Sequence, residues 1–513
     1  MTPSEPVGPD AGPQADPVPA TSPAPNDRRL HPWSWLFVLL QQLRQFIVPL
    51  IAAFFVGGDR NELWPLIGVA VLTLSSVMQY LTYRYAIGRD AITIRSGWLH
   101  RQRREIPFAR IHNVSVDQTV LHRLYGVAEV RLESAGGQKP EAQMRVLRMD
   151  DALALERLVR HRGAVEATVE GVAEPAPDVL LEMPLGEVLR LGIISNRGVL
   201  VLATAYAASM QFSPRLVGGL FEHWSRVVFG WTSEHHFGPM QYGLAAVTLA
   251  LAVLALMRLL SIVLAVLQYA GFRLTEDQQR LTVERGLLGR ARSSVSRRRL
   301  QAWTLHEGLL HRLLKRRSLH VDTAASVSQG NGQQRRALRE LAPIATPDAC
   351  DALIEHLLPP DANWAGLDWL PMHPSSALRI FLGGAWFPLV VTAALCWQFG
   401  AYGLLALLWV PWSAYLAHHH AKCARYAIND RIVAVRGGWW SRHWRFAELD
   451  KLQALRLSCG PLDRRWGMAT LWLDTAGATP GGTPLRIPHL PETEARELLD
   501  RLARILAARK LRW

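Results

Sequence analysis

The chain has 513 residues, 49% of them hydrophobic, and 57 Lys and Arg face 43 Asp and Glu for a net charge of +14. That length holds about three domains at roughly 150 residues each, and the basic excess points to an anionic surface or to charge-directed membrane topology. Four isolated cysteines (Cys350, Cys396, Cys423, Cys459) with no C-x-x-C pair argue against a disulfide framework or a thiolate metal centre.

Residues 1–29 are rich in Pro and Ala without an apolar core, and read as a disordered tail. Six apolar stretches then come in pairs: 36–56 with 63–83, 196–212 with 242–267, and 377–396 with 402–417. Each approaches the roughly 20 residues that a bilayer-spanning helix needs. The run from Tyr242 to Tyr269 is apolar on every face, which a helix on a soluble surface is not. The pairs predict three transmembrane hairpins at 30–83, 180–267 and 372–421, each entered at an X-Pro step (His31-Pro32, Met183-Pro184, His373-Pro374). The second has the longer external connector. Arg44, Arg190, Asn196 and Arg197 fall in or beside these stretches and are candidate intramembrane polar residues.

Each hairpin is followed by a basic block, at 84–163, 268–358 and 422–513, while the connectors inside the hairpins are nearly neutral. The positive-inside rule therefore puts all three blocks and both termini on the cytoplasmic side. Each block opens on period-two alternation, as in "AITIRSG" and "RIVAVRGG", with glycines closing the turns. Each ends on a helix with acids or Pro at its start ("MDDALALERL", "TPDACDALI", "PETEARELL"). The fold class expected is a multi-pass α-helical membrane protein of about six transmembrane helices in three hairpins. It carries three small β-barrel or sandwich domains, each capped by a C-terminal helix.

The blocks are repeats. Arg110–Ser134, Arg299–Thr323 and Lys451–Thr475 align without a gap, with an aliphatic second, an arginine at +13 (Arg123, Arg312, Arg464), an acid at +23 (Glu133, Asp322, Asp474) and a hydroxyl last. A glycine precedes the aliphatic at one fixed spacing: Gly97 to Ile111, Gly286 to Leu300, Gly438 to Leu452. Constant spacing means that the strands between are constrained alike in all three copies.

The opening Tyr85-Ala86-Ile87…Gly97-Trp98, its counterpart Tyr426-Ala427-Ile428…Gly438-Trp439, and the segment Ile106-Pro107…Arg110-Ile111…Asn113-Val114 resemble the bacterial PH-like domain of YdbT-type membrane proteins. The resemblance covers about residues 30–513. It implies a PH-like fold in the bacterial inner membrane and a smaller, single-domain PH-like companion as a partner, and it supplies no activity.

No residue set reads as catalytic and no cofactor is implied. His418–His420 reads as the polar end of a helix beside Lys422 and Arg425, not as a metal site. The basic residues Arg297, Arg298, Arg299, Arg312, Lys315, Arg316 and Arg317 are candidates for lipid-headgroup or partner contact. Nucleic acid is not expected, because aromatics are not interleaved with the bases. The function expected is a non-enzymatic scaffold that presents three PH-like domains to a protein partner and to anionic lipid, in envelope maintenance or stress resistance. PH-like barrels can offer a strand edge to a peptide. The alternatives are a transport or export component, which Arg44, Arg190, Asn196 and Arg197 facing one another would favour, and a lipid-processing enzyme.

Overall fold

The computed structural model describes residues 28–508, apart from 41, 44, 45, 47–62, 89–90, 98–100, 135–141, 163–177, 213–217, 220, 221, 224, 228–237, 324–338 and 477–482. Most of the expected tail, much of the 36–56 stretch and Arg44 lie outside the described residues. The chain divides into two compact units, Met1–Phe108 and Ala109–Trp513.

The expected six transmembrane helices are corrected. Among the described residues two segments are long and apolar enough to cross a membrane, Met240–Tyr269 and Ser376–Cys423, and a third is reached only by counting two helices bent by 52° as one span. The physical reasons lie in the chain itself. The 196–212 stretch is broken from the helix before it. The 377–396 and 402–417 stretches belong to one helical segment that turns at Gly400, where φ is +60°. Past that turn Gly403 lies so close to Cys396 that an added Cβ would sit 2.3 Å from its amide nitrogen. The 63–83 stretch gives the apolar helix α1 (Leu63–Thr82).

The first unit holds β1 (Arg28–Arg29), α1, β2 (Arg84–Ile87), β3 (Ala91–Ser96) and β4 (Gln102–Pro107). The strands form one antiparallel sheet in sequence order, with β4 at its edge. Arg28 and Arg29, expected in the disordered tail, instead pair with Tyr85 and Arg84.

The second unit continues the first repeat with β5 (Ile111–Gln118), α2 (Val120–Leu124), β6 (Val127–Ser134), β7 (Ala142–Arg148) and α3 (Met149–Arg162). The second repeat supplies β8 (Asp178–Glu182), α4 (Leu185–Ile194), α5 (Arg197–Phe212), α6 (Pro239–Tyr269), β9 (Arg273–Asp277), β10 (Arg280–Arg285) and β11 (Arg290–Ser296). It goes on with β12 (Leu300–Glu307), α7 (Leu309–Leu313), β13 (Arg317–Thr323), β14 (Glu340–Ala345) and α8 (Pro347–Leu357). The third repeat has β15 (Leu370–Pro371), α9 (Ser376–Phe399), α10 (Trp409–Cys423), β16 (Arg425–Ile428), β17 (Ile432–Gly437) and β18 (Arg442–Glu448). It closes with β19 (Leu452–Ser458), α11 (Pro461–Arg465), β20 (Met468–Thr475), β21 (Arg486–Pro491) and α12 (Glu492–Ala507).

The sheets do not stop where the repeats do. One seven-stranded sheet runs β7-β6-β5-β11-β10-β9-β8 and the other β14-β13-β12-β18-β17-β16-β15. In each, the last three strands of one repeat pair edge to edge with the first strands of the next. The two seams share one register. Ser115 faces Ser293 across the first, and Thr304 faces Arg445, at the equivalent positions, across the second.

Strand periodicity explains how one strand serves two cores, since successive side chains point to opposite faces. In β17 and β18, Ile432, Ala434, Trp444 and Phe446 join the core of the second repeat, where Phe446 stacks on Trp303 at 6.0 Å between ring centres. The intervening Val433, Val435 and Ala447 face the third repeat's own β20, β21 and α12 through Leu471, Ile487 and Leu502. Gly438 closes the turn before β18 with φ at +84°, and a Cβ there would lie 1.9 Å from the Ser441 carbonyl oxygen. Gly438→Ala is therefore expected to cost about 1–3 kcal/mol, read as a lower thermal midpoint of the purified protein. An unchanged midpoint would show that the turn tolerates a side chain.

Candidate functional site

Three arrangements of charge stand out in the second unit: a strut beneath the membrane helices, a histidine cluster in the second seam, and a groove at an open sheet edge.

The strut begins with close helix packing. Cβ atoms on Gly192 and Gly198 would lie 2.5 Å from the Ile262 Cα and 2.4 Å from the Met257 carbonyl oxygen, so glycine lets α4 and α5 approach α6. The break between α4 and α5 exposes carbonyls that the helix no longer uses. Arg258 of α6 donates to the carbonyls of Ile193 and Ser195 and to Asn196 Oδ1, all at 3.1 Å. One turn beyond, Arg197 donates to Gln268 and to the Tyr269 hydroxyl, and pairs with Glu340 of β14 at 3.3 Å. Arg285 closes on the other Glu340 oxygen at 2.7 Å, both side chains being nearly buried. Burial would raise the Glu340 carboxyl, but Arg285, the Tyr269 hydroxyl and Arg197 together hold it below the usual carboxylate value.

The sequence candidates are thus placed separately. Asn196 meets Arg258, Arg197 meets Glu340, and Arg190 pairs with Glu187 beside it while remaining half exposed. They do not converge on one another. Glu187 also takes a two-pronged contact from Arg316, at 2.8 and 2.7 Å, which ties the end of α7 to the start of α4. The third repeat repeats this device with other residues: Arg379 of α9 meets Asp463 of α11 at 2.5 Å.

Most of the basic candidates also hold the fold. Arg297 donates to the carbonyls of His356, Leu357 and Leu358, which end α8. Arg312 donates across the seam to the Trp440 carbonyl at 3.2 Å. Arg317 pairs with Glu307 and Asp351 and lies 5.2 Å over the Trp444 ring. Arg299 is half-buried, whereas Arg298 and Lys315 are exposed. His419 stacks on Trp439 at 5.0 Å, beside Tyr415 and Trp440, in an aromatic cluster of the kind favoured at membrane interfaces. Among the described residues no group of His, Cys, Asp and Glu is arranged to hold a metal.

Sequence reasoning missed the histidines of the seam. His306 of β12 faces His443 of β18 and meets His320 edge-on at 5.5 Å. Burial, followed by the neighbouring His320, His443 and His311, pushes His306 down to about 4. Burial lowers His311, His320 and His443 as well. The signal was available, since three of the four lie within the Arg299–Thr323 repeat, but only the cross-repeat register brings His443 to them.

The groove, of about 380 Å³, lies beside β19 and β20 and is lined by Asp322, Arg445, Arg456, Trp472 and Asp474. Arg445 pairs with buried Asp322 across the seam, and Arg339 adds a second contact at 3.0 Å. Asp474, the repeat-equivalent of Asp322, is exposed. Arg456 and Arg486 each lie 5.1 Å over the Trp472 ring, so the groove offers cations on an aromatic shelf next to a strand edge.

The model of the bacterial PH domain family matches three times, at residues 36–163, 226–356 and 377–506, well over half of the chain. The chain belongs to the bacterial PH domain family. It is also similar to the UPF0699 transmembrane protein YdbT of Bacillus subtilis (strain 168), at 21% identity over 431 residues, which is 79% of this chain and 84% of that protein. No solved structure matches. The matches and the apolar helices together make this a membrane protein with internally repeated PH-like domains, as the resemblance implied.

Two outcomes follow from the charges. Glu340→Gln leaves Arg285 buried beside a neutral partner and is expected to cost about 3–5 kcal/mol of stability. Changing both to apolar residues of like volume is expected to recover much of it, as read by thermal unfolding in detergent. The four seam histidines have folded values below the unfolded 6.5, so the unfolded chain binds more protons at mildly acid pH. Their contribution is complete above pH 6.5 and is lost as pH falls toward about 4. Thermal midpoints are expected to drop between pH 6.5 and 5, less steeply in His306→Leu than in the natural chain. A flat profile would contradict the assignment.

Proposed function

We propose that this protein is a non-enzymatic scaffold of the bacterial inner membrane. Its PH-like domains face the cytoplasm and hold a protein partner along the open edge of β19, in envelope maintenance or stress resistance. The observation that carries this reading is the contrast between two equivalent strands. β12 is paired on both sides, and its first six residues are buried. Among the described residues β19 pairs on one side alone, with β20, and leaves Gln453, Ala454 and Arg456 exposed. An unpaired strand beside a groove is suited to an added strand, with backbone hydrogen bonds giving affinity and the groove side chains giving selectivity.

The polar helix residues favour anchoring over transport. Arg190, Asn196, Arg197 and Arg258 are engaged with acids and helix-end carbonyls. Arg197 ties the helices to the domain, Arg258 and Asn196 join helix to helix, and Arg190 pairs within its own helix, so among the described residues these side chains do not converge on one path.

A photo-crosslinking residue at Gln453, activated in intact cells, is expected to give a discrete protein adduct. The same residue at the buried position Ala302 is expected to give none. Adducts with lipid alone would overturn the edge-binding reading in favour of a lipid-handling role.

A further inference from the structure

We propose that the strand taken by the β19 edge is β4 of a second copy of this chain, so that copies join head to tail through the same seam that joins the repeats. This rests on the edge-binding reading above and names the occupant of that edge.

Each seven-stranded sheet is made of a four-strand part from the start of one repeat and a three-strand part from the end of the repeat before it. The four-strand part of the first repeat is β1–β4, and the three-strand part of the third is β19–β21. Their internal registers match those of the complete sheets: Arg28 faces Tyr85 in β1 and β2 as Leu370 faces Tyr426 in β15 and β16. One part ends at β4, the strand equivalent to β11 and β18. The other ends at β19, the strand equivalent to β5 and β12. Both internal seams join strands of these two types and no others. The repeat that would follow the third is therefore supplied by the first repeat of another copy.

The internal seams also fix the register. Gln118 faces Arg290 in the first and Glu307 faces Arg442 in the second. The equivalent residues are Cys459, which follows β19, and Arg101, which precedes β4. One turn of the pattern further, Arg104 stands where Arg445 stands in the second seam, and Asp474 where Asp322 does. The incoming β4 would bring a guanidinium to the exposed acid of the groove, as Arg445 does to Asp322. Arg456 comes opposite Arg104 in this register, but it is held over Trp472. A heterologous contact of this kind closes into a ring or propagates as a row.

The test needs one substitution, Arg101→Cys, in two differently tagged full-length copies expressed together in the same membrane. Mild oxidation is expected to link the two tags through Cys459, giving a reducible species that contains both, and Cys459→Ser is expected to abolish it. Gln118→Cys with Arg290→Cys, the same pair in an internal seam, reports that the oxidation is sufficient. A disulfide confined to single chains would overturn the proposal in favour of β19 taking β4 of its own chain. No disulfide at Cys459 while the internal pair closes would overturn it outright. A protein adduct at Gln453 in either of those cases would leave the edge-binding reading standing and remove only its assignment to a second copy.

Discussion

The structure of the second unit depends on the backbone hydrogen bonding that carries a sheet from one repeat into the next. A strand edge is an unfinished row of donors and acceptors, and soluble proteins ordinarily cover or blunt it. Here β5 and β12 are finished by β11 and β18 of the following repeat. The gain is twofold. Two edges per seam are removed from water, and the alternating side chains of a shared strand contribute to two cores, as Phe446 and Ala447 of β18 do in the third repeat. Like the units of a solenoid, each repeat is stabilised by its neighbour.

Charge is placed where this arrangement meets the membrane helices. Few polar groups suit a helix that borders lipid, and the two arginines here are engaged: Arg258 with the carbonyls freed by the break before α5, and Arg197 with Glu340. The Arg316–Glu187 and Arg379–Asp463 pairs perform one task with unrelated residues in two repeats, each tying a segment in or just after a short helix of the domain to the helix that follows the first strand of its repeat. These contacts fix the domains to the helices, which fits display of a surface better than conduction of a solute.

Much of this was legible in the sequence. Repeat number, the basic blocks, the period-two strands and the helical end of each block follow from local pattern, and the fixed spacing from Gly438 to Leu452 reflects a turn that only glycine makes easily. Two things were hidden. Apolar length alone counted six crossings, because it does not register the bend at Ser195-Asn196, nor that 377–396 and 402–417 belong to one helical segment. Strand alternation marks strands such as β3 and β17 one at a time and carries no information about which edge meets which, so the meeting of His306 with His443 was unreadable. For the same reason Arg297, Arg312, Arg316 and Arg317 looked like a free basic surface, although their partners sit 60 or more residues away (Leu357 and Trp440), in the preceding hairpin (Glu187), or across one strand and in the capping helix (Glu307 and Asp351).

The most direct test of sheet continuity is a disulfide between Ser115 and Ser293, residues 178 positions apart that face each other across the first seam. Directly opposed positions in an antiparallel pair lie about 4.5–5.5 Å apart at Cα, within disulfide reach. Ser115→Cys with Ser293→Cys is expected to give an intramolecular crosslink between the two corresponding peptides, found by mass spectrometry in the oxidised and absent from the reduced protein. Pairing Ser115→Cys with Arg280→Cys, in β10 on the far side of β11, is expected to give none. Failure of the first pair to close in a folded protein would contradict the shared sheet and return the repeats to three separate domains.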